Sequence, residues 1–214
     1  MAVRPVFISE DQRPYGPAQM VDFTWYSGFS KAQKQRSVAS LHECFMRKFP
    51  GRRVLEISSK STEPLGVALS AFNLKWARPD GEFTVENFYQ AGKVFSGGGP
   101  YTDLMSLSPR DAKRDERLRN SGRLTGFRMG ETNFPLVPAS LFYNWLYMNA
   151  LHSQPELAAA VMEYDAFTDI EFNPDRAVSC QAQAAAIYVT LARQGRIEEA
   201  LRSRKDFLRV VYGR

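Results

Sequence analysis

The stretch Leu69–Phe95, LSAFNLKWARPDGEFTVENFYQAGKVF, decides how this chain is read. Its second half has the period of an amphipathic helix, with Thr84 as N-cap and Val85 as the first helical residue. Glu86, Gln90 and Lys93 fall at i, i+4 and i+7, which lines up a carboxylate, an amide and an ammonium on one face. Phe88 and Phe95 point toward a neighbouring face and anchor the helix in a core. A purely solvated stripe has the same pattern, because a charged helical face usually meets only water. Upstream, Pro79-Asp80-Gly81 turns the chain into this helix. Downstream, Ser96-Gly97-Gly98-Gly99-Pro100 stops it.

The three glycines let the backbone approach a ligand and expose its amides, although they match no Walker or dinucleotide pattern. Tyr101 follows directly and offers a stacking face for a base. Ser108-Pro109 opens a short basic helix, with the cap just before a proline at the first helical position. Helical patterns run over 138–151 and 154–164, and 166–174 reads as a loop. Ser179 caps an Ala-rich helix over 180–193 that Gly195 terminates, before a shorter Glu- and Arg-rich helix. Toward the N-terminus, 31–49 reads as a helix ending before Pro50-Gly51. Residues 53–57 form a short strand leading into Ser58-Ser59-Lys60-Ser61, and 65–74 is a second apolar stretch. Phe23, Trp25, Tyr26 and Phe29 crowd around Gly28, either as a loop of stacking faces or as buried core aromatics. Residues 1–20 read as an irregular lead-in to one domain over 21–214. The pattern predicts an α+β, predominantly helical fold with a few short strands and no βαβ rhythm.

With 214 residues, 44% of them hydrophobic and 13% aromatic, the chain can bury one sizeable core and is too apolar for a disordered protein. No apolar run is long enough for a membrane span, and the start MAVRPVFISEDQ lacks the apolar region of a secretory signal. The expected setting is cytoplasmic, with Cys44 and Cys180 as reduced thiols rather than a disulfide. Spacing predicts no Cys/His metal site and no Ser-His-Asp arrangement, and His42 reads as structural. The net charge of +5 is uneven. Arg110, Lys113, Arg114, Arg117, Arg119, Arg123 and Arg128 form one basic run, and Lys31, Lys34, Arg36, Arg47, Lys48, Arg52 and Arg53 another. Such patches attract polyanions, and the arginine fork grips diphosphates; a mixed soluble surface carries the same charges.

Ser70, Phe72 and Asn73, followed by Glu86, Phe88, Tyr89, Gln90, Lys93 and Phe95, resemble the signature of the NADAR family. Asn87 stands where that family often has His, and Val94 separates the Lys from the Phe. With DFTWYSGFSKAQKQRS, VLEISSKS, GGPYTDL and AFTDIEFNP, the resemblance spans most of residues 20–194. It is similar to the branch encoded beside DarT-type DNA ADP-ribosyltransferase toxins. The resemblance implies an ADP-ribosylglycohydrolase that frees a guanine base from ADP-ribose, an antitoxin acting on single-stranded DNA with water as co-substrate and no cofactor. The implied partners are ADP-ribosylated DNA, ADP-ribose and a cognate toxin, without a membrane. Two other readings stand beside it: an N-glycosidase on a ribosylamino-pyrimidine intermediate of riboflavin biosynthesis, and a non-catalytic antitoxin that blocks toxin or DNA.

Glu86, Lys93 and Asp169 are the catalytic candidates. The helix dipole favours an ionised Glu86 and aromatic neighbours oppose it. A carboxyl so balanced can act as acid and base in N-glycosidic cleavage, which passes through an oxocarbenium-like ribose. Lys93 either pairs with Glu86 or a phosphate, or attacks the anomeric carbon of a ring-opened ribose as a Schiff-base nucleophile if burial depresses its basicity. Asp169 and Phe167 fall in the acidic-aromatic loop that the resemblance implies; an Asx turn is the plain alternative for Asp169. ADP-ribose and base contacts are expected from Ser59, Lys60, Ser70, Asn73, Tyr89, Gln90, Tyr101 and Phe167, although Ser58-Ser59-Lys60 also fits a simple polar turn. Arg114 and Arg117 are the DNA-binding candidates. Gln181 and Gln183 reach a base edge or lie on the surface.

Overall fold

A computed structural model describes residues 1–9, 14–79, 81–175 and 177–214. The first half of the chain forms β1 (Ala2–Ile8), β2 (Gln19–Phe23), α1 (Lys31–Lys48), β3 (Val54–Glu56), α2 (Pro64–Ala68), β4 (Lys75–Arg78), β5 (Gly81–Thr84) and α3 (Val85–Ala91). Next come β6 (Lys93–Phe95), a 3-10 helix at Thr102–Ser106, α4 (Pro109–Arg114), α5 (Arg117–Asn120), β7 (Leu124–Met129) and β8 (Thr132–Phe134). The chain closes with α6 (Leu141–His152), α7 (Pro155–Val161), β9 (Ala166–Thr168), α8 (Gln181–Arg193), α9 (Ile197–Leu201) and α10 (Arg204–Tyr212). It is an α+β fold with more helix than strand.

The main sheet runs β2-β1-β9-β3, with β9 antiparallel to β1 and parallel to β3. Period-2 alternation splits its side chains between two cores. Val6, Val54 and Ala166 pack with Val38, Leu41 and Phe45 of α1. Phe7, Leu55 and Phe167 enter the larger core with α6 and α8. The alanines at 182, 184, 185 and 186 of α8 are buried, and small side chains let that helix approach the sheet closely. A hairpin β4-β5 and a second sheet β6-β7-β8 flank this core.

Three expectations are corrected. Residues 1–20 are not an irregular lead-in, because β1 and the first residues of β2 lie there; residues 10–13 of that stretch lie outside the described residues. Pro5 obscures the strand, yet β1 pairs with β9 only at Phe7 and Ile8, so Pro5 has a ladder neighbour on one side only. The loop expected over 166–174 holds β9, whose three residues are too few to show a period. The helix that begins at Val85 ends at Ala91 and does not reach Phe95. At Gly92 a Cβ would come within 2.7 Å of the Phe142 ring, and the Gly92 carbonyl accepts from Arg128 N–H at 2.7 Å. From Lys93 onward the backbone pairs with β7, which removes it from the helix. The turn expected at 79–81 joins β4 to β5, with Asp80 outside the described residues.

Candidate active site

Parallel strands share their carboxyl ends, so β3 and β9 deliver the Ser58–Ser61 turn and Asp169 to one place. Glu56 holds these two segments together and is only 2% exposed. Its Oε1 accepts from Ser58 Oγ at 2.6 Å and from Ile170 N–H at 2.9 Å, and its Oε2 from Thr168 Oγ1 at 2.6 Å. His42 Nε2 lies 2.8 Å from the same Thr168 oxygen. The Thr168 proton is committed to Glu56, so the imidazole donates there. Burial raises the Glu56 carboxyl above its usual range despite these bonds, and lowers His42 to about 4. Asp169 is pushed well above the usual carboxylate range, by burial first and then by the neighbouring Glu56 charge.

Helix α3 forms the facing wall. Thr84 caps it, accepting from Asn87 N–H at 3.2 Å. Asn87 in turn donates to the Leu104 and Leu107 carbonyls at 2.9 and 3.0 Å, anchoring the segment that leads to α4. Glu86, Tyr89 and Gln90 share one face of α3, at i, i+3 and i+4. Glu86 is 5% exposed. Gln90 Nε2 donates to Glu86 Oε1 at 2.7 Å, and Lys93 Nζ donates to Gln90 Oε1 at 2.7 Å. The expected line of three groups therefore exists, although Lys93 enters from β6. Among the described residues the direct ionic partner of Glu86 is Lys113, at 3.5 Å, and not Lys93. Lys93 sits 4.9 Å above the Tyr89 ring. Burial lowers its pKa, the Glu86 charge opposes that, and Lys113 adds to it.

Between these walls lies a cleft of about 980 Å³. Of the residues expected at the site, Ser59, Ser70, Asn73, Glu86, Tyr89, Gln90, Lys93, Asp169 and Arg114 line it. Ser70 and Asn73 build its corner: Asn73 Nδ2 donates to Ser70 Oγ and to the Val67 carbonyl, both at 2.9 Å. Tyr89 stacks on Phe127 with its hydroxyl 3.4 Å from Ser179 Oγ, and burial raises its pKa.

Four expected residues lie elsewhere. Phe167 is fully buried on the α6–α8 face of β9. The Tyr101 hydroxyl bonds Ser121 Oγ, and its ring lies under the Arg117 guanidinium at 4.6 Å. Arg117 is held by Asp103 at 2.6 Å and Asp115 at 2.9 Å. Lys60 follows the Ser58-Ser59 pair without lining the cleft. The glycine run also avoids the cleft: Gly97 N–H donates to the Ser121 carbonyl, and a Cβ on Gly98 would strike the Tyr101 hydroxyl.

Sequence reasoning missed Glu56 as the tie beneath the cleft, and its one signal is a lone carboxylate in an apolar strand. It also missed the structural part of Gln181, which accepts from Ala71 N–H and donates to the Ile57 carbonyl, both at 2.7 Å. Among the described residues no three His, Cys, Asp or Glu side chains converge to hold a metal ion. No helix among them is long and apolar enough to cross a membrane.

A carboxylate, an amide and two amines meet in one cleft, and the cations that line it suit an anionic ligand. The family model for the DarT1-associated NADAR antitoxin matches residues 2–214, and the chain belongs to that family. No curated protein matches it.

Proposed function

We propose that this antitoxin hydrolyses the N-glycosidic bond between ADP-ribose and a guanine base in single-stranded DNA. The observation that carries this reading is the Lys113–Glu86–Gln90–Lys93 line on the wall of the cleft. A cleft of about 980 Å³ has room for a nucleotide-sized ligand. Arg110, Lys113 and Arg114 at its rim supply charge for a diphosphate and for the strand. Glu86, nearly buried beside the reacting centre, moves the proton.

Lys113 already pairs with Glu86, which leaves Lys93 for a different task. Burial lowers its pKa, and Nζ as the free amine can add to the C1=N bond of the ring-opened ribosylamine, whose guanine nitrogen takes up the proton that Nζ loses. The bond from C1 to the guanine amine then breaks as Glu86 protonates the leaving nitrogen. Water, deprotonated by Glu86, adds to the resulting imine and releases ADP-ribose and free Lys93. The test is incubation of the protein with guanine- and thymine-ADP-ribosylated oligonucleotides. Release of ADP-ribose from the guanine substrate is expected. Release from neither overturns the reading and leaves an antitoxin that acts by blocking.

A further inference from the structure

The loop between β2 and α1 carries aromatic residues that the cleft chemistry does not use. Phe23 is buried in the core on the α1 side of the sheet. Trp25 lies under Arg4 at 5.4 Å and Lys34 at 4.6 Å, and Tyr26 under Arg36 at 4.0 Å. Phe29 alone is fully exposed, directly before Ser30, the N-cap of α1. Ser27 and Lys31, two residues to either side of it in the chain, are exposed, as is Arg36 further along α1 over the Tyr26 ring, and the first turn of α1 has no acidic residue. Lys31 and Arg36 form no ion pair among the described residues.

This surface adjoins the cleft at two points. Lys34 Nζ lies 3.5 Å from Glu171, a residue of the cleft rim. Gln35 Nε2 donates to the Ser61 carbonyl at 3.5 Å, at the end of the turn that gives Ser58 and Ser59 to the cleft. Lys60 stands in the chain between Ser59 and Ser61.

We infer that the β2–α1 loop is a second nucleic-acid subsite, where single-stranded DNA leaving the cleft stacks a base on Phe29 and sets its phosphates against Lys31 and Arg36. The inference rests on reading the cleft as a site for modified DNA. A bare ring set among cations suits a single strand, because any base offers a π-face and its phosphates need positive charge. A protein partner would call for a contiguous apolar patch, and the exposed residues flanking Phe29 in the chain, Ser27, Gly28, Ser30 and Lys31, supply none.

The test uses the whole chain and an unmodified, mixed-sequence, labelled single-stranded oligonucleotide, with affinity read by fluorescence anisotropy over a salt series. Phe29→Ala is expected to weaken binding about fivefold or more, and Phe29→Trp to retain it. Lys31→Ala with Arg36→Ala is expected to reduce the salt slope by about 1.4, at about 0.7 per lost phosphate contact. Hydrolysis of a small ADP-ribosylated guanosine should be unchanged in all of these variants. Failure of the wild type to cleave that nucleoside would count against the catalytic reading alone, since the anisotropy arm contains no modified base. Affinity and slope unchanged in every variant would overturn the subsite. So would a Phe29→Ala protein that binds DNA normally but no longer captures the purified toxin, which would make this a protein interface.

Discussion

Gln90 separates the two groups that carry the proposed chemistry. Its amide donates to Glu86 and accepts from Lys93, so its orientation is set by both neighbours at once. Glu86→Gln preserves the acceptor for Gln90 and the volume of the side chain but cannot shuttle a proton. We expect it to keep the fold and ADP-ribose binding while hydrolysis falls on the order of 10²–10⁴-fold. Thermal melting and a binding isotherm beside the rate would check this; near wild-type turnover would shift the role to Asp169. For Lys93, borohydride added during turnover should trap a protein–ADP-ribose adduct at that residue. Lys93→Arg should be inactive, because arginine keeps the charge but cannot form the imine. An adduct mapped to Lys60 or Lys113 would relocate the nucleophile, and an active Lys93→Arg would reduce Lys93 to a charge.

The basic run from Arg110 to Arg128 divides into two parts once α4 and α5 are in place. Arg110 and Arg114 of α4 face the cleft, whereas Arg117 of α5 is neutralised by Asp103 and Asp115 and laid over Tyr101. Its bidentate bonds to Asp103 and Asp115 hold both carboxyls below the usual range. The two arginines should therefore behave differently. Arg114→Ala is expected to weaken binding of modified oligonucleotide and to flatten its salt dependence by about 0.7. Arg117→Ala should leave affinity near wild type and show its effect in the packing of the Tyr101 segment. Equal losses from both, measured by anisotropy at several salt concentrations, would mean that the Asp103–Arg117–Asp115 cluster opens to DNA.

Across the whole molecule, the main sheet joins α1 to the cleft through the half-buried His42 and the buried Thr168 and Glu56. His42 has a folded pKa of about 4 against 6.5 when free. The unfolded chain thus takes up a proton that the native state resists. His42 imposes no penalty above pH 6.5, and stability is lost as pH falls toward 4, by at most about 3 kcal/mol. Glu56 and Asp169 act with the opposite sign. Their folded pKa values are raised, so their contribution favours the fold at low pH and fades as pH rises through those values. The difference between wild type and His42→Gln isolates the histidine. Between pH 7.5 and 4.5 the wild type should lose more thermal stability than the variant; parallel curves would show that His42 accepts its proton inside the fold.

The features legible from the residues alone are local. The Thr84 cap, the start of α3, the shared face of Glu86, Tyr89 and Gln90, the Ser108-Pro109 entry to α4 and the limits of α1 all rest on contacts within about one helical turn, which adjacent residues control. Whatever needs a partner far along the chain was fixed only in the folded molecule. Glu56 meets Thr168 across 112 residues, and Thr168 meets His42 across 126. Phe167 turns inward because strand alternation and sheet register assign it to the α6–α8 core, and a three-residue strand announces neither. Lys93 enters the site from a strand because β7 claims its backbone, while Lys113 and not Lys93 pairs with Glu86 because Asn87 ties the approach to α4 beside α3. Local bonds form wherever the residues allow them, but these long-range pairings exist only after the sheet has closed.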